Sequence, residues 1–327
     1  SGGLDSTSLA ATARRVAPGT PLFALTTRVR DVESGEESRL AAIVARRLGL
    51  AHELRDVALP DPDVMARHTP EPYDDPGFTI SCEVAAALAA HAPVVFEGED
   101  GDALFAPPSL RAMARQWPVA DIAVRFVKHT IRTGQHPYVG TWLAQRLGLK
   151  RPPERAARPA WLSPAAQLAA TATEAIMPFH SARPDAALWL TGSIWQCVHD
   201  GGDRAFHGVA LEYRWPLLDS RLMEFVFAIP PIPWCQSKFL VRQAFAGELP
   251  AEVIRRRKET VPGAHARAVR SWRERTGAPT PVLHRHTAEF VDAARVGETL
   301  RNGGTEDVLA AWRALALDRW LRHLDPA

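Results

Sequence analysis

Apolar and polar positions follow two different periods along the first hundred residues, and each change of period marks an element. Residues 7–16 carry small and apolar side chains at Leu9, Ala10, Ala13 and Val16, a helical spacing that Pro18-Gly19 ends. Residues 21–26 (PLFALT) form an apolar run of strand length. In the polar connection after it, Ser34 and Glu37 have the spacing of a capping box. Leu40, Ile43, Val44, Arg47 and Leu48 then repeat at helical spacing until Gly49. Residues 51–57 alternate as a strand, residues 78–91 read as an alanine-rich helix, and Val94-Val95-Phe96 reads as a buried strand. Strands alternating with helices predict an α/β fold with a doubly wound parallel sheet.

Beyond about residue 110 the periodicities are mostly helical. The expected division is therefore an α/β part over residues 1–110 and a mainly α-helical part over residues 111–327. Residues 150–164 (KRPPERAARPAWLSP) have the composition of an exposed loop between helices, or of a small hinge. No internal repeat interrupts this organisation.

Composition narrows the function. A chain of 327 residues that is 46% hydrophobic can bury a core. Its 39 basic and 37 acidic residues leave a formal charge of +2, too little to draw nucleic acid or a membrane surface by a global field. Cys82, Cys197 and Cys235 are odd in number and far apart, which fits neither a disulfide framework nor a zinc site. Cys82 and Cys197 read as small buried hydrophobes, and a reducing, cytoplasmic setting is expected. No apolar run approaches the roughly 20 residues of a membrane-spanning helix.

Chemistry concentrates first at the start. Ser1-Gly2-Gly3-Leu4-Asp5-Ser6 runs into an apolar helix, so glycine amides and the helix dipole together favour an anion. Ser1 and Ser6 can donate hydroxyls to a phosphate, and Asp5 suits a magnesium ion bridging phosphate oxygens. The alternative is an ordinary helix start with Asp5 or Ser6 as its cap. The second concentration is residues 97–105 (EGEDGDALF), where Glu97, Glu99, Asp100 and Asp102 follow a strand. Ligands bind at that end of an open α/β sheet, and crowded carboxylates favour a cation; an acidic surface turn is the alternative.

The first stretch resembles the SGGxDS signature of the ATP pyrophosphatase, or PP-loop, superfamily, and its SGGLDS form is most similar to the synthetase domain of asparagine synthetases. Residues 98–105 resemble that family's G-E/D-G-x-D-E-L/V-F segment. Two departures stand out: Ala103 replaces the second acid, and Ala106-Pro107-Pro108 replaces Gly-Gly-Tyr. Asp203-Arg204 and residues 212–219 (EYRWPLLD) resemble the family's D-R…V-E-x-R-x-P-F-L-D segment, with Glu212 and Arg214 expected as a partly buried ion pair. Arg221 and Glu224 are expected as a surface pair. Lys238, Arg242 and residues 249–258 (LPAEVIRRRK) resemble K-x-x-x-R…L-P-x-x-I-x-x-R-x-K.

The resemblance implies an adenine nucleotide α-hydrolase-like fold and a role for each matched residue. Ser1, Gly2, Gly3, Asp5, Ser6, Leu25, Glu97, Gly98 and Lys238 would contact ATP or pyrophosphate. Asp5 and Asp102 would hold Mg2+, Glu99 would be the general base, and Lys258 would contact the phosphates at the reacting centre. The implied reaction is adenylation of a carboxylate followed by amide formation with ammonia, as in asparagine biosynthesis. Two kinds of relative differ: β-lactam synthetases and lasso-peptide cyclases use an amine of the substrate, and PP-loop enzymes that modify transfer RNA need a basic face. A non-catalytic descendant is a further alternative.

The chain opens on the loop instead of the strand that should feed it, so an N-terminal strand and an upstream glutaminase-type domain are expected. Arg255 and Arg256 read as a solvated helix end, with Arg257 open. His284 and His286 read as exposed helix residues.

Overall fold

The computed structural model describes residues 1–29, 35–63, 68–73, 77–134, 136–138, 140, 158–173, 183, 186–187, 190, 194–256 and 263–325, with side chains left out for 169–173 and 194–197. Lys258, Arg257, Ser34, most of the patch at 150–164 and the side chain of Cys197 therefore lie outside the described residues.

The chain folds as a mixed α/β protein. Helix α1 (Leu4–Val16) leads to β1 (Phe23–Val29), α2 (Glu36–Leu48), β2 (Ala51–Val57), α3 (Phe78–Ala89), β3 (Val94–Phe96) and the single turn α4 (Gly101–Leu104). β1 and β2 pair in parallel over their whole length, Phe23 against Ala51 through Val29 against Val57. The βαβ crossover through α2 follows from its apolar stripe, since Leu40, Ala41, Val44 and Ala45 are buried. Gly35 is the N-cap of α2, and Gly49 closes the helix in a left-handed conformation.

Two results differ from the expected single sheet. Among the described residues the strands form two separate parallel pairs, β1–β2 and β3–β4, where β4 is Glu212–Arg214. The pairs are not hydrogen-bonded to each other, and a cleft of about 870 Å³ is lined by residues of both β1 and β3. The second difference is β4 itself, a strand within the expected helical part. Val94 pairs with Glu212 and Phe96 with Arg214, and Glu97 N–H extends the ladder to the Arg214 carbonyl at 3.0 Å.

Helices α5 (Ser220–Ala228) and α6 (Phe239–Ala244) share a core with Leu4 and Leu9 of α1, α7 (Ala251–Arg255) shares one with Ala11 of α1 and Leu40 of α2, and α8 (Ala264–Thr276), α9 (Ala293–Asn302) and α10 (Thr305–Leu324) build a separate core. In one core Leu104 and Phe105 meet Leu217, Val226, Cys235 and Val241, which binds α4 to the later helices. In the other, Trp272 and Trp312 meet edge to face at 5.7 Å beside Val296 and Leu300.

Several local expectations change. Glu212 and Arg214 do form an ion pair, at 2.7 Å, but both side chains are more than half exposed, so it is a surface pair two residues apart on β4. Arg221 pairs with Asp219 at 2.7 Å instead of Glu224, because Asp219 is the N-cap of α5 and already accepts from the Arg221 amide. His284 is buried, donating its amide to Asp318 at 2.6 Å, whereas His286 is exposed beside Glu289. Cys82 is only partly buried and Cys235 is fully buried. No helix among the described residues is long and apolar enough to cross a membrane.

Candidate active site

Helix α1 begins earlier than its apolar spacing implies. Gly3 is its N-cap, with no side-chain capping bond, so neither Asp5 nor Ser6 is the cap and both lie in the first turn. A helix start without a side-chain cap, next to serine hydroxyls, leaves donors that suit an anion. Ser1 Oγ lies 2.9 Å from Ser6 Oγ, and Ser6 Oγ also donates to the Ser1 carbonyl at 2.9 Å, so the loop closes on itself. Gly2 is buried against α2, where a Cβ would stand 2.7 Å from that of Leu40.

The loop after β3 lies directly on this helix start. A Cβ at Gly98 would come 2.8 Å from the Ser6 amide nitrogen and 3.1 Å from the Asp5 carbonyl carbon, and one at Gly101 would overlap the Asp5 carboxylate. Glycine at these two positions is what lets two motifs almost a hundred residues apart touch.

The carboxylate of Asp5 meets a third segment. Lys238 Nζ is ion-paired to Asp5 and lies 2.6 Å from Asp102 Oδ1, so one ammonium joins the first turn of α1, α4 and the turn before α6. Ser1, Gly3, Asp5 and Ser6 line the cleft together with Leu25 of β1, and Glu97, Gly98 and Glu99 form its β3 side. The structure thus brings together every matched site residue it describes: those eight line the cleft, Gly2 supports the loop behind it, and Asp102 and Lys238 meet at Asp5. Lys258 is outside the described residues.

Glu97 is set by β4 on one side and by Trp215, whose Nε1–H donates to Glu97 Oε2 at 3.2 Å. Burial, then the neighbouring Glu99, pushes its carboxyl up, and the Trp215 bond opposes this. Asp100 is a third departure from the family segment, standing where the motif has its second glycine. Its φ of 75° explains the glycine, because that left-handed backbone suits a residue without Cβ. Its carboxyl is buried with no hydrogen bond to either oxygen, and burial followed by Glu99 and Glu97 pushes it up to about 7.

The basic segment is less solvated than its composition implies. Arg255 is exposed, but the Arg256 side chain is largely buried and pairs with Glu37 of α2 at 2.9 Å. Arg242, beyond its place in the motif, donates to three backbone carbonyls around this segment. Neither contact has a sequence signal apart from the K-x-x-x-R spacing.

The asparagine synthase family model matches residues 1–322, nearly the whole chain and every motif of this site. The chain belongs to the asparagine synthase family. No curated protein matches the chain in a search of such sequences. Membership supports an ATP-using ligase.

Proposed function

We propose that the chain adenylates a carboxylate with ATP and then converts the acyl-adenylate to an amide with ammonia, with aspartate as the first substrate to test. In the first step a carboxylate oxygen bonds to the α-phosphorus while the α–β phosphoanhydride breaks and pyrophosphate leaves. In the second the amine nitrogen bonds to the acyl carbon, AMP leaves, and Glu99 takes the proton from nitrogen. Lys238, with Lys258 by its match to the family pattern, offsets the charge that accumulates on the phosphates. What carries this reading is the meeting of Lys238 and Asp102 with Asp5, a residue that lines the cleft together with the serine-glycine loop.

No group of three or more His, Cys, Asp or Glu side chains suited to a metal occurs among the described residues. Two converging carboxylates still fit Mg2+, which is commonly held by one or two carboxylates with the substrate's phosphates and water. Asp5 and Asp102 would hold it, and the charge it would supply there would offset that of phosphate oxygens. An upstream glutaminase-type domain as the ammonia source belongs to the same proposal.

A second reading rests on the acceptor side, where Ala103 and Ala106-Pro107-Pro108 replace the usual residues. There the amine belongs to the substrate itself, as in β-lactam synthetases and lasso-peptide cyclases. The test is incubation with Mg2+, ATP, ammonium and a panel of carboxylates headed by aspartate, following AMP and pyrophosphate by chromatography. AMP and pyrophosphate with aspartate, lost in Lys258→Ala and Asp5→Ala, supports the first reading. Turnover only with a substrate carrying its own amine supports the second, and ADP with phosphate overturns both.

A further inference from the structure

Lys238 reaches the two carboxylates from a backbone that L-residues rarely adopt. Ser237 and Lys238 are consecutive left-handed residues, with φ of 49° and 56°, immediately before α6. Two such residues in a row persist only where their surroundings over-determine them. The surroundings supply one side chain from the following helix. Arg242 Nε–H donates to the Ser237 carbonyl at 2.7 Å, Nη2–H donates to the Arg256 carbonyl at 2.8 Å, and Nη1–H donates to the Ile254 carbonyl. A planar fork can serve three acceptors in two segments at once, and a single ammonium cannot reproduce that arrangement.

We infer that Arg242 is a positioning residue: its guanidinium fixes the Ser237–Lys238 turn so that the Lys238 ammonium is delivered between Asp5 and Asp102. The same guanidinium ties that turn to residues 254–256, whose last member precedes Lys258 by two positions in the sequence. Arg242 touches no site carboxylate in the described contacts and acts through Lys238. The inference rests on the proposed ATP site, and its test separates the two.

The test is a double-mutant cycle on the folded protein with a non-hydrolysable ATP analogue and Mg2+ as the probe, affinity being read by titration calorimetry and folding by thermal melting. Arg242→Ala, Arg242→Lys and Lys238→Met are each expected to weaken binding about tenfold or more, and the Arg242→Ala/Lys238→Met double variant no further than Lys238→Met alone. A purely structural arginine would give losses that multiply in the double variant. Multiplying losses, or wild-type affinity in Arg242→Lys, overturns the inference while leaving the ATP site intact. Should Arg242→Ala fail to fold, the Arg242→Lys cycle decides by the same criterion. Absence of binding by the wild-type protein overturns both the ATP site and the role of Arg242.

Discussion

The Lys238 ammonium stands 2.6 Å from Asp102 and is shared with Asp5, so a single positive charge serves two carboxylates from segments almost a hundred residues apart. Lys238 and Asp5 are mostly buried while Asp102 is half exposed, which leaves the cluster open on the Asp102 side.

Removing that charge leaves two carboxylates facing each other. Lys238→Met is expected to lose about 1.5–3 kcal/mol of stability, the usual contribution of a hydrogen bond to a charged group. Millimolar Mg2+ should then raise the melting temperature of the variant more than that of the wild type, since the cation replaces the missing ammonium. Equal shifts in both proteins would contradict this arrangement, and paired melting curves with and without Mg2+ check it.

Gly98→Ala tests the contact between the two loops. Its new Cβ would meet the backbone of the first α1 turn, which cannot rotate away, so the loop after β3 must lift. Strain of about 1–3 kcal/mol is expected, as for overpacking elsewhere. The affinity for an ATP analogue should fall with it, whereas Gly247→Ala, where a Cβ meets nothing within 4 Å, should bind as the wild type. Calorimetric titration of both variants checks the contrast.

Asp100 predicts a pH dependence. Its folded carboxyl is pushed up to about 7 from an ordinary value near 4, so the folded state holds its proton more tightly than the unfolded one. Stability from this group is full below pH 4 and is lost as pH rises towards 7. Asp100→Asn should therefore match the wild type near pH 4 and be more stable at pH 8. Asp100→Gly, which removes the carboxyl as well, should exceed Asp100→Asn by about 1 kcal/mol at every pH by relieving the left-handed backbone. Denaturant melts of the three proteins across that range separate the two contributions.

Leu300→Ala serves as a control far from the cleft. Leu300 is 1% exposed in the core of α8, α9 and α10, so its truncation should destabilise by about 2–5 kcal/mol. Nucleotide affinity of the folded fraction should not change. A loss of affinity beyond the unfolded fraction would couple that core to the site.

Much of the frame was legible because it rests on local patterns. The spans 51–57 and 94–96 coincide with β2 and β3, and Gly49 ends α2 as its position implies. β4 was not legible, because its sequence, Glu-Tyr-Arg, has two exposed charged residues of three and no apolar run. Its strand character comes from pairing with Val94–Phe96, a distant partner. The cluster at Asp5 was legible as motifs, since the chemistry requires those residue types. How the motifs touch was not, because the approach of Gly98 to Ser6 and the reach of Arg242 depend on tertiary geometry. The burial of Arg256 escaped for the same reason: a run of arginines reads as solvated until Glu37 of α2 is placed beside it.

The pairing of Asp5 with Lys238 spans 233 residues of chain, and that separation carries over to biosynthesis. At about 5–20 residues per second of translation, the first loop would wait roughly 10–50 s after leaving the ribosome before its lysine arrives. Until then Asp5 and Asp102 repel one another without a counter-charge, and β3 lacks the strand that holds Glu97. A nascent chain released before Lys238 would carry the serine-glycine loop without the ammonium that joins it to the loop after β3, so this cluster is completed only late in synthesis.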